Sequence, residues 1–179
     1  MTPQPTRTRR PDRADLDRPR RHGEPTPRVL MKPVAPKSGY VDGAWWPYTD
    51  NLVAELPGLL TVLAARLRPV IQVAYHLVEW TTPAGELVVD DRSVRLDWHG
   101  HAAAHTVALL GPLNRRLVLL VVPPDTDPGD AYTAMTAAAS ANNSSTADDL
   151  LQIGIRQRRA RKQRAAAVRR WAARTTSPN

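Results

Sequence analysis

Apolar positions are concentrated in the central part of the chain, and their spacing predicts strands and helices in a definite order. The first 27 residues carry many prolines and almost no large apolar side chains, whereas apolar runs begin abruptly at Arg28. The segment "RVLMKPVAP" predicts a short strand ended by prolines, and "GYVDGAWWP" after it predicts a strand or a turn. Leucines between Leu52 and Leu63 recur at helical spacing, which predicts a first helix with a kink or a restart at Pro57.

Further strands are predicted between this helix and a second one. The run Val70–Trp80 is rich in β-branched and aromatic residues, and "ELVVDDRSVRLDW" indicates a hairpin with its turn near Asp90–Ser93. "HTVALL" and "RLVLLVVPP" are two further strands joined by "GPLNRR". Because short turns between consecutive strands favour antiparallel pairing, we expect a meander. Asp127 then predicts the cap of the second helix, with Pro128 in its first position.

This order of elements predicts an α+β fold, an antiparallel β-sheet meander with two main helices packed on it, plus a basic C-terminal helix. We expect three segments. Residues 1–27 form an Arg/Pro-rich arm with too few apolar side chains to offset the entropy of ordering, so we expect it to be disordered. Residues 28–141 form the α+β domain, and residues 142–179 form a polar linker followed by a basic tail, either helical or disordered.

Charge changes this picture because the excess positive charge lies only in the ends. The net charge is +8, yet residues 29–147 carry eight basic residues against eleven acids. Residues 1–28 carry eight arginines against four acids, and residues 148–179 carry nine basic residues against two acids. The high pI therefore results from the charges of the two tails and does not indicate a basic surface on the folded domain. Arginine accounts for 22 of the 25 basic residues, which also fits the codon bias of a high-GC bacterium.

Composition also excludes several classes of site. The chain has no cysteine, which excludes disulfides, thiolate metal sites and a cysteine nucleophile. No apolar run approaches the roughly 18 residues of a membrane-spanning helix. We therefore expect a soluble cytoplasmic protein without a transmembrane segment.

The segment "DWHGHAAAH" holds three closely spaced histidines. In an extended segment, His99, His101 and His105 would point to one face, and imidazoles at such spacing can share a metal ion. The alternative is a solvated loop, because a glycine and three alanines interrupt the segment. Both interpretations remain open from the sequence.

A second group of candidate ligand-binding residues lies in the two aromatic segments, and it consists of Asp42, Trp45, Trp46 and His76. His76 with Glu79 or Asp42 could form an acid–base couple, or it could be a satisfied half-buried histidine. Adjacent side chains on a strand face opposite ways, so we expect one tryptophan to fill the core and the other to lie at the surface or at a pocket rim near Asp42. No phosphate loop, nucleophile elbow or metalloprotease motif is present.

The strongest binding signal is the run "RQRRARKQRAAAVRR" with a tryptophan behind it. Basic side chains that neutralise phosphates release counterions, so this tail could bind nucleic acid without base specificity. It could also bind an anionic membrane or an acidic partner, or be a solvated helix that adds solubility. The candidate nucleic-acid-binding residues are Arg156, Arg158, Arg159, Arg161, Lys162, Arg164, Arg169 and Arg170.

Several long motifs resemble those of a known family. "RVLMKPVAPKSGYVDGAWWP", "ELPGLL", "VAYHL" and "RLVLLVVPPDTDP" are similar to an uncharacterised family of small actinobacterial proteins, a domain of unknown function. The resemblance covers about Arg28 to Ala141, and the tails fall outside it. Tyr48 stands where the resemblance leads us to expect a basic residue. The resemblance implies no activity, cofactor or catalytic residue.

These observations order three hypotheses about function. The first is a non-enzymatic cytoplasmic binding or regulatory module that uses the exposed face of the sheet or the Trp45–Trp46 region. The alternative is a nucleic-acid-associated protein that binds through its arginine-rich tails. The third is an enzyme of unknown class. No cofactor is implied, and the tails make nucleic acid or an acidic macromolecule the candidate partners.

Overall fold

The structure, a computed structural model, describes residues 25–33, 39–67, 69–81, 85–98 and 102–175. The predicted disordered arm lies almost wholly outside these ranges. Within them, the strands are β1 (Arg28–Met31), β2 (Gly43–Trp46), β3 (Gln72–Tyr75), β4 (Glu86–Val89), β5 (Arg92–Asp97), β6 (Thr106–Leu110) and β7 (Arg116–Val121). The helices are α1 (Leu52–Leu63), α2 (Pro128–Ala138) and α3 (Ala147–Thr175).

The strands form one mixed sheet in the order β1-β2-β7-β6-β3-β5-β4. The predicted α+β class and the three helices are confirmed, whereas the purely antiparallel meander is wrong. Strand β7 pairs parallel with β2, and β3 pairs parallel with β5. The remaining neighbours are antiparallel. In a meander, each strand would pair antiparallel with the next strand along the chain. Here β2 pairs with β7 instead of β3, and β3 pairs with β5 instead of β4.

The two hairpins predicted from local turn signals are present. Strands β4 and β5 pair antiparallel around Asp90 and Asp91, whose φ values are 49° and 60°. Strands β6 and β7 pair around Leu113 and Asn114, with φ values of 57° and 58°. Two successive residues with positive φ fit tight hairpin turns, because that backbone twist matches the twist of the strands.

Helices cover both faces of the sheet. On one face, the leucines of α1 pack with inward side chains of the strands and form the larger core around Trp45, Val73 and Leu109. On the other face, α2 and the first turns of α3 pack over β2 and β7 and enclose Ala44 and Leu120. At β2 and β7, helices cover both faces of the sheet, which forms the middle of three layers. At β4 and β5, one face of the sheet is exposed.

Helix ends follow the expected chemistry. The side chain of Asn51 caps α1 by accepting from the backbone N–H of Ala54 at 3.2 Å. Asp127 caps α2 as predicted and accepts from the N–H groups of the next turn. Among the helices of the described residues, none combines the length and the apolar composition that crossing a bilayer requires.

Candidate functional site

Four strands of the sheet run in the same direction, so their carboxyl ends meet at one edge. They are β2, β7, β3 and β5, as the two parallel pairs and the antiparallel pairs of β6 require. Helices α1 and α2 begin shortly after β2 and β7, so their N-termini also follow this edge. We call it the carboxyl edge. In sheets with parallel strands, ligand sites are concentrated at such an edge.

A histidine–glutamate–histidine cluster lies at the carboxyl edge. His76 follows β3 directly and precedes a 3₁₀ turn at Leu77–Glu79, so the strand predicted over Val70–Trp80 ends earlier than expected. The Glu79 Oε1 atom lies 3.8 Å from His76 Nδ1 and 3.4 Å from His105 Nδ1. The same oxygen accepts the backbone N–H of His105. Glu79 therefore joins the end of β3 to the start of β6.

The cluster contains buried polar atoms without hydrogen-bond partners. Within the described part of the chain, Glu79 Oε2 and His76 Nδ1 are buried and accept or donate no hydrogen bond. The Glu79 side chain is 15% exposed, while both imidazoles are about one-third exposed (37% and 35%). An unpaired buried carboxylate oxygen costs free energy, so its presence calls for an explanation such as a ligand or a water molecule.

The structure describes only one of the three histidines that were predicted to bind a metal ion. His105 adopts a left-handed backbone with φ of 58° at the start of β6. His99 and His101 lie outside the described residues, so the predicted metal site stays a prediction. Among the side chains that the structure describes, no group of three or more histidines and carboxylates is arranged to hold a metal ion.

Asp42 contacts the neighbouring backbone rather than the histidines. Its Oδ2 accepts the backbone N–H of Val118 at 2.8 Å, and its own N–H donates to the Val118 carbonyl at 2.7 Å. Asp42 therefore extends the parallel pairing of β2 with β7 at the amino end of β2. It lies at the opposite end of that strand from Trp46, and the couple with His76 that the sequence suggested is not formed.

The two adjacent tryptophans have different environments. Trp45 is fully buried (0% exposed) and stacks on Trp80, with ring centroids 5.4 Å apart and an interplanar angle of 22°. It therefore offers no surface to a ligand. Trp46 is half-buried, and the guanidinium of Arg28 lies 3.4 Å from its ring centroid. Trp45 is therefore a core residue, and Trp46 is a half-buried residue that Arg28 covers.

The exposed face of the sheet is small and mostly polar. On β4 and β5 it presents Glu86, Val88, Ser93 and Arg95, of which Val88 is the only apolar side chain. The side chains of Ser93 and Glu86 hydrogen-bond to each other across the strands. This face offers a partner little apolar area, since a single exposed valine is normal for a protein surface.

Helix α3 divides into a packed part and an exposed part. Its buried residues Ala147, Leu150 and Gly154 all precede Arg158. Arg158 ends the packed part: its Nη2 lies 2.8 Å from Asp130 Oδ2, and its Nη1 lies 3.6 Å from Asp127 Oδ2. We call residues 159–171 the basic arm, and no side chain in it is buried.

Seven of the eight predicted nucleic-acid-binding side chains are exposed, and the eighth, Arg158, contacts the domain. Among the described residues, these seven have no carboxylate within ion-pair distance, and no acid occurs after Asp149. They are Arg156, Arg159, Arg161, Lys162, Arg164, Arg169 and Arg170. The structure thus separates one structural arginine from an exposed basic surface, a distinction that the sequence run alone did not show.

Sequence reasoning missed Glu79 as the centre of the histidine cluster. It considered Glu79 as a partner of His76, but it grouped His105 with the other histidines of its loop. The signal lay in the pairing of β3 with β6, which sets Tyr75 opposite Val107 and so brings the residues beyond each strand together. That register is a long-range property and has no local sequence signature.

Comparison with known proteins adds a family and no activity. No curated protein and no solved structure gave a match to the chain. A protein-family model, described as "Family of unknown function (DUF5994)", matches residues 28–138, close to the predicted limits of the resemblance. The match ends in α2, so α3 lies beyond it, and actinobacterial origin stays a prediction. Since the model covers more than half of the chain, this protein belongs to that family of unknown function.

Proposed function

We propose that this protein is a non-enzymatic binding module that associates with nucleic acid through the basic arm. The observation that carries the proposal is the set of seven exposed basic side chains on α3, six of them in the basic arm, without a carboxylate partner among the described residues. A helix that keeps so many like charges close together is stabilised when anions neutralise them. Phosphates supply that neutralisation and release condensed counterions on binding.

The arm is well placed to act as a separate contact. Its charged side chains are exposed, while the first turns of α3 pack against α2 and anchor the helix to the domain. The Asp130–Arg158 ion pair adds a second anchor at 2.8 Å. A partner can therefore contact the arm without disturbing the core. Nucleic-acid binding would then belong to α3, which lies beyond the segment that matches the family.

The test compares the full chain with a variant ending at Ala160, using fluorescence anisotropy with a labelled DNA duplex at 50 and 200 mM salt. The truncation removes six basic residues, Arg161, Lys162, Arg164, Arg169, Arg170 and Arg174. If about six phosphates are contacted, affinity of the full chain falls about 10³-fold between the two salt concentrations. The truncated variant is expected to lose nearly all of this salt-dependent binding.

A matched control removes charge elsewhere. Arg92 and Arg95 are exposed on β5, so the double variant R92Q/R95Q lowers the net charge without touching α3. Its affinity for the duplex is expected to stay close to that of the full chain. Equal binding by the full chain and by the variant ending at Ala160 contradicts the proposal.

A second candidate function, binding of a small ligand at the carboxyl edge, is favoured by one specific observation. The Glu79 Oε2 atom is buried without a hydrogen-bond partner among the described residues, beside two imidazoles that are about one-third exposed. A ligand that donates a hydrogen bond or carries an ammonium group would satisfy this oxygen. This candidate involves the part of the chain that matches the family, and it is compatible with the first.

Native mass spectrometry of the purified protein tests this second candidate. A bound ligand appears as an added mass that is lost in the variant Glu79→Gln, which keeps an oxygen for the His105 N–H but removes the charge. Glu86→Gln, an exposed carboxylate on β4, serves as the control and is expected to retain the added mass. Absence of any added mass in the unmodified protein argues against this candidate.

A further inference from the structure

The basic side chains of α3 surround the helix axis instead of lining one face. At about 100° per residue, six of them fall into three pairs that face three sides of the helix. One pair is Arg161 and Arg164, the second is Lys162 and Arg169, and the third is Arg159 and Arg170. The centres of the three pairs are separated by about 80° to 160° around the axis.

This arrangement does not fit a flat anionic surface. A membrane contacts one side of a helix, and an interfacial helix needs an apolar face set apart from its charged face. In the basic arm, the exposed Val168 and Trp171 lie on the side that also bears Arg161 and Arg164. Charged and apolar side chains are therefore mixed on that side, and the other two sides are charged as well.

A groove bordered by phosphates on both walls fits the arrangement. The major groove of B-form DNA is about 12 Å wide and admits an α-helix. A helix inserted there has phosphates on two opposite sides. Basic side chains on different sides of the helix can therefore contact phosphates at the same time. The major groove of A-form RNA is deep and narrow, and side chains do not enter it in this way.

The dimensions of the basic arm also suit a groove. Its 13 residues, 159–171, span about 20 Å at 1.5 Å per residue, and no buried side chain ties them to the domain. The packed part of α3 ends at Arg158, so a helix held at one end presents its distal turns to a partner. Such continuous basic helices, held at one end, are known to lie in the major groove.

We propose that the basic arm inserts into the major groove of B-form duplex DNA and contacts phosphates on both walls of the groove. The proposal rests on the proposed nucleic-acid binding and specifies its substrate class and geometry. Binding depends on at least two sides of the helix, and the duplex must offer a wide major groove.

The first measurement uses three double variants in the full chain, one for each side of the helix. They are R161Q/R164Q, K162Q/R169Q and R159Q/R170Q, and glutamine keeps a similar helix propensity. For groove insertion, at least two of the three weaken duplex binding, and each of these reduces the slope of log affinity against log salt by about 1.8. The control R92Q/R95Q leaves the slope unchanged. If only one double variant weakens binding, the contact is one-sided and groove insertion is wrong.

The second measurement compares partners at one salt concentration: a DNA duplex, an RNA duplex of the same sequence, and phosphatidylserine vesicles. Groove insertion predicts that the RNA duplex binds at least about tenfold more weakly than the DNA duplex. Equal binding of both duplexes overturns groove insertion and leaves the nucleic-acid proposal intact. Binding of neither duplex, or of vesicles alone, overturns both proposals.

Discussion

At the scale of single residues, the side chain of Arg28 covers the ring of Trp46. Trp46 is the last residue of β2, next to the outermost strand β1. The Arg28 guanidinium lies 3.4 Å from the Trp46 ring centroid and 4.1 Å from that of Tyr48. It also donates to the carbonyls of Trp46 at 3.0 Å and Pro47 at 2.6 Å. Burial lowers the pKa of Arg28 from its ordinary value, while Tyr48 and Glu55 act in the opposite direction and raise it.

We expect Arg28→Lys to destabilise the protein by about 1–2 kcal/mol, because an ammonium cannot stack on both rings while it donates to two carbonyls. Chemical unfolding followed by tryptophan fluorescence measures the change, and emission from Trp46 should shift as its ring is uncovered. Arg92→Lys is the control, since Arg92 is exposed on β5. An unchanged free energy of unfolding for Arg28→Lys would show that the stacking contributes nothing.

The Asp130–Arg158 ion pair supports a second prediction at this scale. Asp130 is 3% exposed, and the Arg158 side chain is 42% exposed. Replacing Arg158 by methionine leaves a buried carboxylate without its cation, at a cost of about 1–3 kcal/mol. Asp130→Asn in the same chain should recover part of this loss. A double-mutant cycle measures the coupling, and strict additivity of the two single changes would contradict a stabilising pair.

Single residues were predicted from the sequence only where their partners are local. The cap Asp127 lies two and three residues from the N–H groups that it accepts, and the separation of the two tryptophans follows from strand alternation. The contact between Glu79 and His105 joins residues 26 apart, and Asp42 meets Val118 across 76 residues. Such partners depend on the strand register, which local patterns do not encode.

At the scale of elements, hairpins were predictable and parallel pairs were not. Turn residues predict a hairpin from local sequence, and both turns with positive φ values lie in the segments where the sequence predicted turns. The pairing of β2 with β7 joins strands that are separated by α1 and four other strands, and no turn signal links them. Both strands are buried on two faces between helices, and an uninterrupted apolar run such as "LVLLVV" is typical of that position.

The packing of α3 on α2 leads to a prediction in which two effects oppose each other. In an exposed helix, Gly→Ala stabilises by about 1 kcal/mol. A Cβ atom at Gly154 would lie 2.6 Å from Asp130 Cα and 2.7 Å from its carbonyl oxygen, both backbone atoms of α2. We therefore expect Gly154→Ala to destabilise by about 1–3 kcal/mol despite the gain in helix propensity.

Thermal unfolding by circular dichroism measures this effect, and Gly58→Ala provides the comparison. At Gly58 in α1 the new Cβ would meet only the side chain of Pro27, with its closest approach at 3.1 Å from Cγ. That contact can relax, so the change at Gly58 should be small or stabilising. A stabilising Gly154→Ala would mean that the two helices separate easily.

At the scale of the whole molecule, the folded unit extends beyond the segment that matches the family. The sequence placed the end of the domain at residue 141, and the family match ends at residue 138. Lys32 nevertheless donates to the Asn143 carbonyl at 2.7 Å, and Gly39 lies against the backbone of Asn143. Leu150 is fully buried with α2 in the second core. The residues of α3 that belong to this core lie in its first turns, and most of the helix beyond them is polar.

Two truncations test where the folded unit ends. A chain of residues 1–160 keeps Leu150 and the ion pair of Arg158, so its free energy of unfolding should match that of the full chain within about 0.5 kcal/mol. A chain of residues 1–141 loses both and uncovers the apolar side of α2, which should cost about 3 kcal/mol or more. Urea unfolding of the three chains measures these differences. Equal stability of the chain 1–141 would place α3 outside the cooperative unit, whereas a loss already in the chain 1–160 would show that the basic arm stabilises the domain.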